Sequence, residues 1–221
     1  MPSNVQQILV YSDSLSWGIV PATRRRLPFA ERWPGVLEQR LNAVAGDPYY
    51  ARVIEDCLNG RRTVWDDPFK AGRNGLVGLA QRIEIHSPLA LVILMLGTND
   101  FQSVHSLNIW HSAQGIASLV TAIRQAPIEP GMPVPPILLA APPAISEPRG
   151  PLTRKFANAA VKSKGLADAY REVAADLSCH FFDAGTVTAT SAVDGIHLDG
   201  AQHAVLGAAF ADRVAALLAP P

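Results

Sequence analysis

The segment Tyr11-Ser-Asp-Ser-Leu-Ser-Trp-Gly18 puts Ser14 just beyond the apolar run Gln7 to Tyr11, where a strand would turn into a helix. A serine at such a turn can present its hydroxyl at the mouth of a fold, with its backbone N–H near the positive end of the helix. Far along the chain, Val193-Asp-Gly-Ile-His-Leu198 sets Asp194 three residues before His197, with Gly195 relaxing the backbone between them. A carboxylate on one ring nitrogen leaves the other free to accept a serine proton, so this pair can supply a general base and the group that orients it. Gly60 can offer a backbone N–H and Asn99 a side-chain amide N–H where negative charge develops on an attacked carbonyl. The chemistry these residues could perform together is acyl transfer through a serine nucleophile. Taken one at a time, each has a second reading that the residue types leave open. Asp13 or Ser14 caps a helix, His197 caps the next one, Asn59-Gly60 is an ordinary turn, and Asn99-Asp100 caps the segment after it.

The elements that must position these residues follow from the periodicity. Apolar runs predict strands at Gln7 to Tyr11, Leu89 to Leu94, Ile137 to Ala140 and His180 to Phe182, with a weaker one at Arg52 to Ile54. Apolar residues recurring at three and four predict helices at Arg32 to Val44, Leu76 to Ile85, Ile109 to Arg124, Arg154 to Leu177 and Ala201 to Leu218. Strands apolar throughout that alternate with helices predict a parallel sheet covered on both faces. The expected fold is therefore α/β: a doubly wound, flavodoxin-like three-layer sandwich with a central parallel sheet of about five strands. Ligands bind beyond the carboxyl ends of such strands. Ser14, Gly60, Asn99 and Asp194 each follow a predicted strand, so their loops should converge on one edge. The Pro-rich stretch Pro127 to Pro136 reads as a surface connection into the fourth strand.

Composition narrows the field. The 221 residues, 48% hydrophobic and 17% charged, suit one globular domain spanning residues 1–221. A formal net charge of +0 supplies no overall field for nucleic acid or an anionic membrane, so neither is an expected partner. Met1 to Gln7 is largely polar, Ile8-Leu9-Val10 is too short for a secretory hydrophobic region, and the longest apolar run, Leu89 to Leu96, has the length of a buried strand. A cytoplasmic location and reduced Cys57 and Cys179 are expected. His105 and His111 lack a compact ligand set, as do His86, His180 and His203, and no glycine-rich nucleotide loop occurs. The expected set of metals and cofactors is none.

Taken in order, the Ser14, Gly60, Asn99 and His197 segments resemble the four blocks of the SGNH, or GDSL, hydrolase family, most specifically at Gly97-Thr-Asn-Asp100 and Asp194-Gly-Ile-His197. The resemblance implies a flavodoxin-like fold, a catalytic set of Ser14, His197 and Asp194, and oxyanion donors in the backbone N–H groups of Ser14 and Gly60 and the side chain of Asn99. Three positions depart from the family pattern: Ser12 and Cys57 stand where glycines are usual, and Arg62 stands where a threonine is usual. Ser12 is harmless if its backbone angles are ordinary and costs on the order of 1 kcal/mol or more if φ is positive.

The run Leu58-Asn-Gly-Arg-Arg-Thr-Val-Trp-Asp-Asp-Pro68 is similar to the second block of the arylesterase and acyltransferase branch, which implies short-chain acyl or aryl esters as small-molecule substrates, with transfer to alcohols as a further outcome. Trp17, Trp65 and Ile196 are the expected substrate-lining residues, from a wider apolar set that includes Ile19, Val20, Phe69 and Phe101; each also reads as core. Two alternatives stand beside this one: an O-acetylated sugar as substrate, and a catalytically silent binding protein on the same fold. Arg24-Arg-Arg-Leu-Pro-Phe29 reads either as a lid or contact loop of a homo-oligomer or as a solvated basic loop.

Overall fold

A computed structural model describes residues 4–44 and 49–219. Five strands, β1 (Asn4–Ser12), β2 (Tyr49–Cys57), β3 (Leu91–Met95), β4 (Ile137–Ala141) and β5 (His180–Asp183), form one sheet in the order β2-β1-β3-β4-β5. Every neighbouring pair is parallel. Among the described residues eight α-helices accompany them: α1 (Ser14–Trp17), α2 (Trp33–Val44), α3 (Leu79–His86), α4 (Ile109–Arg124), α5 (Leu152–Lys155), α6 (Ala159–Lys162), α7 (Leu166–Asp176) and α8 (Gly200–Leu218).

The apolar runs are continuous because both faces of the sheet are covered, and the two-residue period of a strand sends alternate side chains into different cores. Leu9, Tyr11, Val92, Leu94 and Leu139 join Leu79, Ile83, Ile116, Leu119, Tyr170 and Val173 of α3, α4 and α7. Ile8, Val10, Leu91, Ile93 and Leu138 join Trp33 and Leu37 of α2 and Leu206, Phe210 and Val214 of α8. The three-layer α/β sandwich expected from the sequence is the observed architecture.

Two expectations need correction. Arg154 to Leu177 is not one helix: Asn158 (φ 62°) and Gly165 (φ 88°) adopt left-handed backbone and divide it into α5, α6 and α7. The weak strand at Arg52 to Ile54 is a full-length partner of β1, in register from Asn4 opposite Tyr49 to Ser12 opposite Cys57. Its signal is diluted because β2 is an edge strand, with Tyr50 and Arg52 exposed.

The strand order fixes where a site can lie. The chain leaves β1 toward β2 on one side, whereas β3 leads to β4 on the other, so the connections after β1 and β3 diverge and open a crevice at the carboxyl ends of those strands. Ser14 stands after β1 and Asn99 after β3. Among the described residues no helix is long and apolar enough to cross a membrane.

Candidate functional site

Ser14 is the first residue of α1, whose N-cap, Asp13, accepts the Leu15 N–H on Oδ1 at 2.9 Å. Asp13 therefore does cap, and by doing so it holds Ser14 at the helix start. As a first-turn amide, the Ser14 N–H has no intrahelical acceptor. Ser12 has ordinary backbone angles; the described non-glycine residues with positive φ are Ala22, Asn158 and Ser178. Fully buried, Ser12 donates from Oγ to the Met95 carbonyl at 2.7 Å and accepts from Ser16 Oγ at 2.6 Å. Ser16 in turn accepts from Trp33 Nε1 at 3.0 Å. The serine in the family's glycine position thus ties the turn that carries Ser14 to β3 and α2.

After β5 the chain delivers Asp194 and His197. Asp194 Oδ1 accepts the N–H groups of Ile196 (3.0 Å) and His197 (2.9 Å), and Oδ2 lies 2.8 Å from His197 Nδ1. A carboxylate only accepts, so Nδ1 carries the proton and Nε2 presents a lone pair. Burial acts to raise the Asp194 pKa, but the His197 ring and the two backbone donors outweigh it and hold the carboxyl well below the usual range. Gly195, at φ 77°, passes so close to the loop after β4 that a Cβ would meet the Glu147 carbonyl oxygen at 2.2 Å. The glycine between aspartate and histidine is required on both counts.

Gly60 also has positive φ, 84°, whereas a Cβ there would meet nothing nearer than Arg73 at 3.9 Å. Its glycine is needed for conformation rather than for space. Among the described residues, the Gly60 N–H has no backbone acceptor.

Asn99 sits in a relay of side chains with a single polarity. Arg62 Nη2 donates to Gln102 Oε1 (2.7 Å), Gln102 Nε2 donates to Asn99 Oδ1 (2.7 Å), and Asn99 Nδ2 donates to Asp13 Oδ2 (2.8 Å). Arginine only donates and an ionised aspartate only accepts, so the two ends dictate which way both amides face. Asn99 Nδ2 also makes a longer bond to the Arg61 carbonyl at 3.2 Å. Burial pushes Asp13 up to about 6, against the Leu15 N–H, the His197 charge, the Asn99 amide and Arg61, which all lower it. Nearby, Asp100 accepts from the Thr63 N–H (3.0 Å), Thr63 Oγ1 (2.8 Å) and Ser112 Oγ (2.7 Å), locking the loop after β2 to the loop after β3 and to α4.

Ser14, Gly60, Asn99 and His197 all line one cleft of about 60 Å³. The four loops do converge. No hydrogen bond joins Ser14 Oγ to His197 among the described residues; the imidazole is held by Asp194. The expected apolar lining is different. Trp17 lies under the Arg26 guanidinium at 4.6 Å, Trp65 is edge-on to His111 at 6.1 Å, and Ile196 is packed in the core. Of the wider apolar set, Ile19 lines the cleft, and the remaining apolar lining is Leu152 and Phe156. These two come from the connection between β4 and β5, remote in sequence from every motif, so proximity along the chain could not reveal them. Gln102 had a usable signal: it stands three residues after Asn99, one short helical turn on.

Among the described residues no group of three or more His, Cys, Asp or Glu side chains could hold a metal ion. The sequence pattern of the GDSL-like Lipase/Acylhydrolase family matches residues 13–205. An aryl esterase of M. smegmatis is 36% identical, with a TM-score of 0.89 over 96% of this chain and 99% of that one. A carbohydrate acetylesterase of Sinorhizobium meliloti is also 36% identical, with a TM-score of 0.88 over the same shares. A protein of Agrobacterium tumefaciens, provisionally named an arylesterase, is 40% identical over 95% of this chain and 98% of that one, with a TM-score of 0.83. No curated protein matches the sequence.

Proposed function

Because the chain belongs to the GDSL-like lipase/acylhydrolase family, we propose that it cleaves short-chain acyl or aryl esters through an acyl-enzyme on Ser14. At the coarser level it is a serine-type esterase or acyltransferase acting on small esters. The observation that carries the finer reading is the Asp194–His197 pair, which leaves Nε2 free to accept on a histidine that lines the same cleft as Ser14.

In this mechanism His197 Nε2 takes the Ser14 hydroxyl proton as Oγ bonds to the ester carbonyl carbon. Asp194 stabilises the resulting imidazolium and keeps its ring in place. The carbonyl oxygen, now anionic, receives the N–H groups of Ser14 and Gly60 and the Asn99 amide, for which the 3.2 Å contact with the Arg61 carbonyl is the bond to be exchanged. The tetrahedral centre collapses, the C–O bond to the alcohol breaks, and His197 returns the proton to that alcohol. Water, or a second alcohol, then attacks the acyl-enzyme while giving its proton to His197, and Ser14 is released with its hydroxyl restored. A cleft of about 60 Å³ is small enough to suit a short acyl group.

A second reading, an O-acetylated sugar, has one observation in its favour. Asn59 lines the cleft and, among the described residues, its buried Oδ1 has no protein donor, a position a sugar hydroxyl would satisfy. The experiment is a panel of p-nitrophenyl esters of rising chain length and acetylated sugars, with and without an alcohol acceptor, using the wild type and Ser14→Ala. We expect rates to fall with chain length, transfer products to appear with alcohol, and Ser14→Ala to lose about 10³-fold or more in kcat. Wild-type rates from Ser14→Ala would overturn the covalent mechanism, and faster turnover of acetylated sugars would favour the second reading.

A further inference from the structure

The cleft mouth carries charges that ester cleavage by itself does not use. Arg24 from the loop after α1, Lys70 from the loop after β2 and Lys155 at the end of α5 all line the cleft with Ser14 and His197. All three are exposed, and among the described residues none has a carboxylate within 4.0 Å. The acidic side chain in the lining, Asp67, lies 2.9 Å from Nη1 of Arg62, whose guanidinium is fully buried beneath the cleft wall. The charge of Asp67 is therefore met from the protein side, and three cations remain on the outer rim. This is a local excess in a chain with 19 basic and 19 acidic residues.

The rim cations also act on one another. Partial desolvation of its ammonium lowers the Lys155 pKa, Asp67 opposes this, and Arg62, Arg24 and Lys70 lower it further. Like charges gathered at one mouth are relieved by an anion placed among them. A carboxylate fits that role: a guanidinium can hold it with two parallel hydrogen bonds, and ammonium groups add charge from the sides.

We propose that the cleft selects esters that carry a carboxylate on their acyl or alcohol portion, held by Arg24, Lys70 and Lys155 while Ser14 attacks the ester carbonyl. The proposal rests on the serine-esterase reading. Because the three side chains are exposed, each contributes modestly and is weakened by salt, so the selection is read in kcat/KM and in its salt dependence.

The test uses two matched ester pairs that differ only in charge. The first is 4-acetoxybenzoate against its methyl ester, and the second is the monophenyl ester of adipate against phenyl methyl adipate. The quantity read is the ratio of kcat/KM for the charged ester to that for its neutral partner. In the wild type this ratio should be several-fold lower at about 0.5 M than at about 0.02 M salt for at least one pair. At low salt, the combined variant Arg24→Gln, Lys70→Gln, Lys155→Gln should lower it by about tenfold. Ratios within about twofold of wild type in that variant for both pairs would overturn the proposal, whatever the salt dependence. Failure of the underlying reading looks different: there Ser14→Ala would hydrolyse the neutral esters as fast as the wild type.

Discussion

Replacing Gln102 by leucine removes the middle of the relay that runs from Arg62 to Asp13 while keeping similar bulk at a site only 3% exposed. The cost falls first on Arg62. Its Nη1 is ion-paired with Asp67 at 2.9 Å and, among the described residues, its Nε has no partner, which leaves Nη2 dependent on the 2.7 Å bond to Gln102. Loss of an acceptor by a buried charged donor costs about 2–3 kcal/mol. In a chain of this length that lowers Tm by about 5–10 °C. The second cost falls on Asn99, whose Oδ1 loses its donor although Nδ2 still faces Asp13. In the proposed mechanism Asn99 is an oxyanion donor; removing such a donor outright costs about 10²–10³ in kcat, and loosening one that keeps its other partner should cost about tenfold. Gln102→Glu separates the two effects. A glutamate still accepts from Arg62, so Tm should stay close to wild type, but it sets a carboxylate oxygen against Asn99 Oδ1, so kcat should still fall. Thermal melts followed by circular dichroism and p-nitrophenyl acetate kinetics read both quantities. An unchanged Tm in Gln102→Leu would refute the dependence of Arg62 on Gln102. Wild-type kcat in Gln102→Glu would refute the claim that the relay orients Asn99.

Asp194→Asn keeps an oxygen for the Ile196 and His197 N–H groups but ends the obligatory acceptor on Nδ1, so kcat should fall about 10³–10⁴-fold with a small change in Tm; full activity would remove Asp194 from the mechanism. A pKa of about 6 for buried Asp13 against an ordinary 3.8 amounts to about 3 kcal/mol. Because the folded value is the higher one, that contribution is fully present below about pH 4 and is lost as pH rises through about 6. Asp13→Asn should therefore make Tm less dependent on pH between those values, while its amide nitrogen crowds that of Asn99 and lowers kcat; an unaltered pH profile of Tm would contradict the assignment. Gly60→Ala has space for its methyl but not a favourable φ, so chemical denaturation should show a loss of about 1–2 kcal/mol, with a fall in kcat if the turn relaxes and re-aims its N–H. Equal stability would show that the turn tolerates a side chain.

Much of this arrangement is legible in the sequence, for a local reason. Ser14, Gly60, Asn99 and His197 each follow a strand, and parallel strands send all their carboxyl ends to one edge, so short motifs reporting only their own turns also report a shared location. The apolar periods of β1, β3, β4, α4 and α8 were equally plain, because burial on both sides of a sheet leaves a continuous apolar run and packing on one side of a helix leaves a stripe. Where the signal failed, the deciding contacts were long-range or the backbone was special. One amphipathic stretch became α5, α6 and α7 because Asn158 and Gly165 turn left-handed. Ser12 could have strained the turn that carries Ser14; only its pairing with Met95 and Ser16 revealed it as a tether. Trp17, Trp65 and Ile196 were plausible wall residues by nearness to the motifs, yet the cleft took Leu152 and Phe156 from another crossover. Sequence alone pointed to the candidate site residues and the edge they share, since both depend on local patterns. Tertiary structure alone decided how the Asn99 amide is turned, what walls the cleft, and which charges ring its mouth, since those depend on side chains brought together from separate crossovers.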